Sequence, residues 1–175
     1  KKEITDTRFI TTYKEDTEYS MVPNIGDPQM LFLANSVSKM KHTTEFGSRI
    51  VEVHNGSSLF TGNAGGGESN IRRYIIENDL LEAIVAMPEK MFYNTGIATF
   101  LWIVTNRKSK EREGKVQLID ATKLKSPLRK NLGEKNCEFT KDIRKQILKI
   151  YMDFKPCEEC KIFDNEEFGY WEVVV

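Results

Sequence analysis

Leu81-Glu82-Ala83-Ile84-Val85-Ala86-Met87-Pro88 is a short apolar run closed by a proline. Apolar residues occupy both alternating sets of positions, so neither side can face water, and a strand buried on both faces is the simplest solution. Thr99-Phe100-Leu101-Trp102-Ile103-Val104-Thr105 is a second run, richer in β-branched and aromatic residues. The charged tract Asn106 to Gly114 reads as an exposed turn, and Lys115-Val116-Gln117-Leu118-Ile119-Asp120 as a third strand. Strands separated by turns over so short a length predict neighbouring, antiparallel pairing. Upstream, Arg49 to His54 alternates as a strand and stops at Asn55-Gly56.

Helical periods flank these strands. Asp27-Pro28 opens one helix: Asp27 can accept from free first-turn amides, and Pro28 suits the first helical position. Met30, Leu31, Leu33, Ala34, Val37 and Met40 form its apolar face, and it should end near Lys41. Thr61 to Gly67 holds four glycines and reads as loop. Glu68, Ser69 and Asn70 then offer capping oxygens for a helix from Ile71 to Asn78, with Ile71, Tyr74 and Ile75 inside. Residues 121–138 are polar, basic and turn-rich, and Thr140 caps a third helix whose stripe is Ile143, Ile147, Leu148, Ile150, Tyr151 and Phe154. Glu167 to Val175 reads as a hydrophobic strand, and residues 1–26 as an irregular loop. Strands interleaved with helices make an α/β domain: a loop at 1–26, a sheet-and-helix core at 27–120 and an extension at 121–175.

Composition narrows the functional classes. The 175 residues carry 26 Lys plus Arg against 26 Asp plus Glu, a formal net charge of zero. Bulk charge therefore gives no argument for nucleic-acid binding, and any such case must come from a local site. No apolar run approaches the roughly 20 residues that span a bilayer, and no membrane contact is expected. The opening Lys1-Lys2-Glu3-Ile4-Thr5-Asp6 lacks the apolar core of a signal peptide, so the expected compartment is the cytoplasm. Cys137, Cys157 and Cys160 are an odd set, which argues against a disulfide framework.

Few motifs carry chemistry. Gly62 to Ser69 precedes a helix, a place that can cradle phosphate, but it lacks the spacing of known phosphate loops and reads more simply as a flexible connection. Cys157-x-x-Cys160 has no second cysteine pair, and ordinary thiols are the simpler reading, so no metal is expected. Glu52 and Asp120 sit near strand ends, where structural carboxylates are common. The most informative segment is Met91-Phe92-Tyr93-Asn94-Thr95-Gly96-Ile97: two adjacent aromatics in a loop between buried strands. Such rings either stack a planar ligand such as a nucleobase or anchor the loop by hydrophobic packing.

At this point a family resemblance enters. The run Ile71 to Pro88, the segment Met91 to Thr99 and the stretch Gly114 to Ala121 together resemble the modification subunit of type I restriction enzymes. Arg72 and the Phe92-Tyr93-Asn94-Thr95-Gly96-Ile97 string carry much of the likeness, which runs from about Asp27 to Phe154 and more loosely to Trp171. The resemblance implies the C-terminal half of a Rossmann-like methyltransferase sheet, with the strand near 99 antiparallel between those near 49 and 81. It implies N6-methylation of adenine in DNA with S-adenosylmethionine as methyl donor. Phe92 and Tyr93 would stack the everted base, with Asn94, Thr95 and Gly96 shaping the turn, and Pro28, Met30 and Phe32 would flank the cofactor. DNA and the specificity and restriction subunits of such a system are the implied partners.

Two family elements have no counterpart here: a glycine-rich loop after a first strand, and an Asn-Pro-Pro-Phe string. Proline stands only at 23, 28, 88, 127 and 156. Relatives often carry Pro-Asp-Gly where this chain has His54-Asn55-Gly56. The expectation is therefore a fragment without catalytic residues of its own, inactive alone and prone to self-association. The alternative is a non-catalytic docking remnant of the same system.

Overall fold

The computed structural model describes Phe9 and residues 20–23, 28–170 and 173. Within them a five-stranded sheet runs in the order β1-β3-β2-β4-β7, formed by β1 (Arg49–Asn55), β2 (Leu81–Met87), β3 (Thr99–Thr105), β4 (Lys115–Asp120) and β7 (Cys160–Asp164). A separate hairpin is made by β5 (Ser126–Leu132) and β6 (Lys135–Glu138). Four helices complete the set: α1 (Gln29–Ser38), α2 (Ser57–Phe60), α3 (Gly67–Glu77) and α4 (Lys141–Asp153).

β3 lies between β1 and β2 and pairs antiparallel with both, as the resemblance implies. The predicted antiparallel neighbour for the strand at 115 is corrected: β4 pairs with β2 instead, and in parallel. With both edges of β3 already hydrogen-bonded, the 106–114 connection has to carry the chain past β2 to that strand's free side. The sheet is thus mixed α/β with an inserted antiparallel strand.

Two cores flank it. On one face α1 and α3 cover Ile84, Trp102, Val104 and Val116, contributing Met30, Leu33, Val37, Ile71 and Ile75. On the other, Val85, Ile119, Ala121 and Cys160 meet Ile147, Ile150 and Tyr151 of α4. Adjacent β2 residues therefore point into different cores, which is why its sequence shows no polar alternation.

Several element ends differ from expectation. Pro28 is the residue before α1 rather than its first, and Asp27 lies outside the described residues. α3 starts inside the glycine run at Gly67, capped by none of the predicted side chains. A Cβ on Gly67 would lie 1.9 Å from the Val22 carbonyl oxygen, so only glycine lets the 20–23 segment press against this helix. Thr140 does cap α4, accepting from the Ile143 amide at 3.4 Å. Asn165–Phe168 is a 3-10 turn rather than part of a strand; Trp171, Glu172, Val174 and Val175 lie outside the described residues, as does most of the predicted 1–26 loop. No helix among the described residues is long and apolar enough to cross a membrane.

Candidate functional site

The pairing registers bring one edge of the sheet into focus. Asn55 and Met87 both pair with Thr99, and Ala86 with Asp120. The carboxyl ends of β1, β2 and β4 therefore meet at the same edge, where α/β folds gather their ligands.

The segment after β2 leaves this edge and forms the aromatic turn. Its Thr95 amide donates to the Phe92 carbonyl at 3.3 Å, and the Thr95 hydroxyl to the Tyr93 carbonyl at 3.2 Å. Asn94 sits at φ +49°, a left-handed conformation that asparagine tolerates better than most residues. Phe92 is 38% exposed and Tyr93 69%, so neither ring is an interior anchor.

The turn does not stand alone. The Asn136 amide donates to the Lys90 carbonyl at 3.1 Å, and the Cys137 thiol reaches the Glu89 carbonyl at 3.4 Å. At the hairpin tip, a Cβ on Gly133 would fall 2.1 Å from Asn94 Oδ1 and 3.3 Å from the Tyr93 ring. A Cβ on Gly96 would fall 2.5 Å from Glu134 Oε2. The β5–β6 hairpin, which sequence reading left as a polar connection, is thus the support beneath the turn.

A polar group that sequence reading missed lies at the end of β1. Gln29 Nε2 donates to Asn55 Oδ1 at 2.7 Å and to Ser57 Oγ at 2.5 Å, while its Oε1 accepts from the Asn55 amide at 3.0 Å. His54 Nδ1 lies 3.3 Å from the same Gln29 oxygen, and its Nε2 3.3 Å from Glu52 Oε2. The Ser36 hydroxyl donates to Glu52 Oε1 at 2.5 Å. Burial alone would raise the Glu52 carboxyl, but the adjacent His54 imidazole and the hydrogen bond from Ser36 outweigh it and hold it below the usual glutamate range. The sequence signals were the strand-end carboxylate Glu52 and the His54-Asn55-Gly56 strand end; Gln29 and Ser36 on α1 carried none. Asp120, at the end of β4, accepts from the Thr122 hydroxyl at 2.6 Å and amide at 2.9 Å, which lower its carboxyl and tie it into a local turn. Thr99 is buried at this edge with its hydroxyl unpartnered among the described residues.

The residues expected to flank S-adenosylmethionine are split. Met30 is 1% exposed and belongs to the core, so it presents no surface to a ligand. Phe32 is 65% exposed, and Pro28 is exposed ahead of α1. Two apolar rings give no acceptor for ribose hydroxyls and no partner for a charged amino-acid moiety, so these residues alone do not make a site for that group. The glycine run does not substitute, since the cavity of about 370 Å³ beside it is lined by Val22 and Glu68, and a carboxylate there opposes an anion. A cavity of about 610 Å³ opens elsewhere, between α3 and the sheet, lined by Ile76, Ile84, Phe100, Trp102, Leu118 and Phe168 among others. None of Phe92 to Gly96 lines it. Cys157 and Cys160 face each other across a tight turn, and among the described residues no group of three or more His, Cys, Asp or Glu could hold a metal.

β1 and β2 run parallel with β3 antiparallel between them, the arrangement expected of the second half of a Rossmann-like methyltransferase sheet. Solved structures agree on the fold. A type I restriction-modification methyltransferase subunit from Streptococcus thermophilus superposes with a TM-score of 0.67 at 24% identity, over 81% of this chain and 27% of that one. A modification subunit of a putative type I restriction enzyme from Vibrio vulnificus gives 0.64 at 18% identity, over 91% and 31%. The N-6 DNA methylase family model matches residues 5–170, and the chain belongs to that family. It is similar to the MjaVIII methylase subunit of a type I restriction enzyme from Methanocaldococcus jannaschii, 39% identical over 106 residues, which is 59% of this chain and 18% of that protein. The MjaIX methylase subunit of the same organism is 31% identical over 138 residues, or 79% of this chain and 23% of that protein. The chain thus spans about a fifth of the length of these curated relatives, and the predicted resemblance to type I modification subunits is borne out.

Proposed function

We propose that this chain supplies the target-base side of an adenine-N6 DNA methyltransferase site in a type I restriction-modification system. The observation that carries the reading is the turn itself: two adjacent rings, exposed, braced from beneath, at the edge where three strands end together. An enzyme that modifies a base must take it out of the stack and hold it, and stacking on an aromatic face is the usual means. Phe92 and Tyr93 offer that face, Asn94 and Thr95 fix the turn that aims it, and Gly96 lets the hairpin approach. The polar cluster at Asn55 holds α1 to the same edge. S-adenosylmethionine is the methyl donor implied by the family, with Pro28 and Phe32 as flanking contacts. DNA, together with specificity and restriction subunits, are the proposed partners. We further take 27–120 as the core of the domain, completed by α4 and β7, and the rest of 121–175 as its extension.

The test is binding of this chain to a duplex bearing one unpaired 2-aminopurine. Stacking of a base on an aromatic side chain contributes about 1–3 kcal/mol. Phe92→Ala or Tyr93→Ala should therefore weaken binding by roughly 5- to 150-fold and reverse the fluorescence change of the bound analogue. Affinity unchanged within about twofold in both variants would sink the reading. Methyl transfer is a separate matter. The chain has no Asn-Pro-Pro-Phe string to hold the amino group, and attack needs both reacting atoms positioned. Radiolabelled methyl transfer to duplex DNA by this chain alone is expected at background.

A further inference from the structure

Residues 121–132 contain Lys123, Lys125, Arg129 and Lys130 and not one carboxylate, although the chain as a whole is neutral. The structure shows where this charge goes. It runs into and along β5, one strand of a hairpin that belongs to no larger sheet, and Arg129 and Lys130 are exposed. Lys123 sits near the Asp120 carboxylate. Lys125, Arg129 and Lys130 form no ion pair among the described residues. Glu134 and Glu138 are the nearby acids in sequence; Glu134 is turned toward Gly96.

Unpaired surface cations by themselves mean little, since most are simply solvated. Here a second observation locates them. The same hairpin that carries the cations touches the aromatic turn at its tip through Gly133, Glu134 and Asn136. Everting a base rotates the nucleotide about its own backbone, so the neighbouring phosphates have to be held while the base leaves the stack. A cationic strand rooted beside the stacking rings can do that.

We propose that the β5–β6 hairpin is the phosphate-binding arm of this site, with Lys125, Arg129 and Lys130 neutralising backbone phosphates next to the everted nucleotide. This rests on the base-stacking reading above for its placement. An acidic protein partner is the competing occupant. Protein interfaces are depleted of charge at their centres and built around apolar anchors. The hairpin has one large apolar side chain exposed, Leu132, which favours nucleic acid.

The experiment uses this chain and a labelled duplex, with anisotropy followed at rising potassium chloride. Each phosphate neutralised adds about 0.9 to the slope of log affinity against log salt. The triple variant Lys125→Ser/Arg129→Ser/Lys130→Ser should lower that slope by about 2 to 3, with weakening similar on unrelated sequences. Arg129→Lys, which keeps the charge, should leave the slope in place. An unchanged slope in the triple variant overturns the proposal, as does absence of any duplex binding by the unaltered chain at low salt. Retained DNA binding with lost retention on immobilised polyglutamate overturns it in favour of the acidic partner. The two readings fail separately. A reduced slope with no effect of Phe92→Ala or Tyr93→Ala on 2-aminopurine removes the base-stacking reading alone, and the reverse pattern removes the arm alone.

Discussion

Gly133 shows how much one residue can settle at this site. Its φ of +59° already favours glycine, and the space its Cβ would need is filled by Asn94 and the Tyr93 ring. A left-handed conformation costs an L-residue about 1–2 kcal/mol before any clash. Gly133→Ala should therefore lower stability by at least that order and displace the turn, so duplex binding should fall more than the loss of folded protein explains. Urea unfolding and anisotropy on one preparation separate the two effects. Glu52 makes a different claim. Its folded carboxyl titrates below the 4.5 of an ordinary glutamate, so the unfolded chain binds its proton first as pH falls. The stability it contributes is present above the ordinary value and is lost as pH drops through the lower folded one. Glu52→Gln should flatten the stability profile across that acidic window and leave it nearly parallel to the unaltered chain near neutrality. An unchanged acid limb would show that Glu52 is not held by His54 and Ser36.

Between elements, the join of α4 to the sheet depends on a buried ionic network. Glu82, on β2, accepts from the Tyr151 hydroxyl at 2.8 Å and pairs with Arg49 and, at 3.8 Å, with Arg112. Arg112 also donates to Gln117 Oε1 at 2.9 Å and lies over the Tyr151 and Phe154 rings at 4.5 and 4.2 Å. Burial and the Glu82 carboxylate push the Tyr151 phenol up, keeping it a donor. Removing one partner from such a pair costs about 3–5 kcal/mol, because the other charge is left buried. Arg112→Ala should destabilise the chain by that order, and Glu82→Ala similarly, with the double variant costing less than their sum in a denaturation cycle. None of this network was legible in the sequence, since its members are spread from Arg49 to Phe154 and none of them marks a motif. What was legible follows from local pattern: β2 from its unbroken apolar run, α4 from Thr140 and its stripe apart from Leu148, which is exposed, and the aromatic turn from adjacent rings close to Gly96. The β5–β6 hairpin was missed because an exposed two-stranded ribbon needs no apolar alternation, and β7 because Cys160 to Asp164 is short. The parallel place of β4 was missed because nearness in sequence says nothing about which strand edges are already taken.

At the scale of the whole molecule, one end of the five-stranded sheet stands open: β1 pairs with β3 on one side only. Val51 and Val53 project outward from β1, both exposed, opposite the side that carries Glu52 and His54. An edge strand with open backbone groups and exposed branched side chains is a template for another strand, and stable proteins guard such edges with charge, proline or cover. Here α1 reaches Glu52 through Ser36 and the Asn55 amide through Gln29, but Val51 and Val53 stay exposed, and the chain spans only about a fifth of its curated relatives, 18% and 23% of their lengths. We expect this edge to be sticky in the chain as it stands. Sedimentation velocity should show association that grows with protein concentration, and a charge placed on the edge should oppose it. Val53→Lys is the informative substitution, because its side chain already faces solvent and the fold should tolerate it, whereas His54→Lys would disturb the packed side. A shift of Val53→Lys toward the monomer, with melting temperature unchanged, is the expected result. Equal association in both proteins would mean that contact is made elsewhere, and the exposed Phe32, Phe46 and Phe60 would then be the surfaces to alter next.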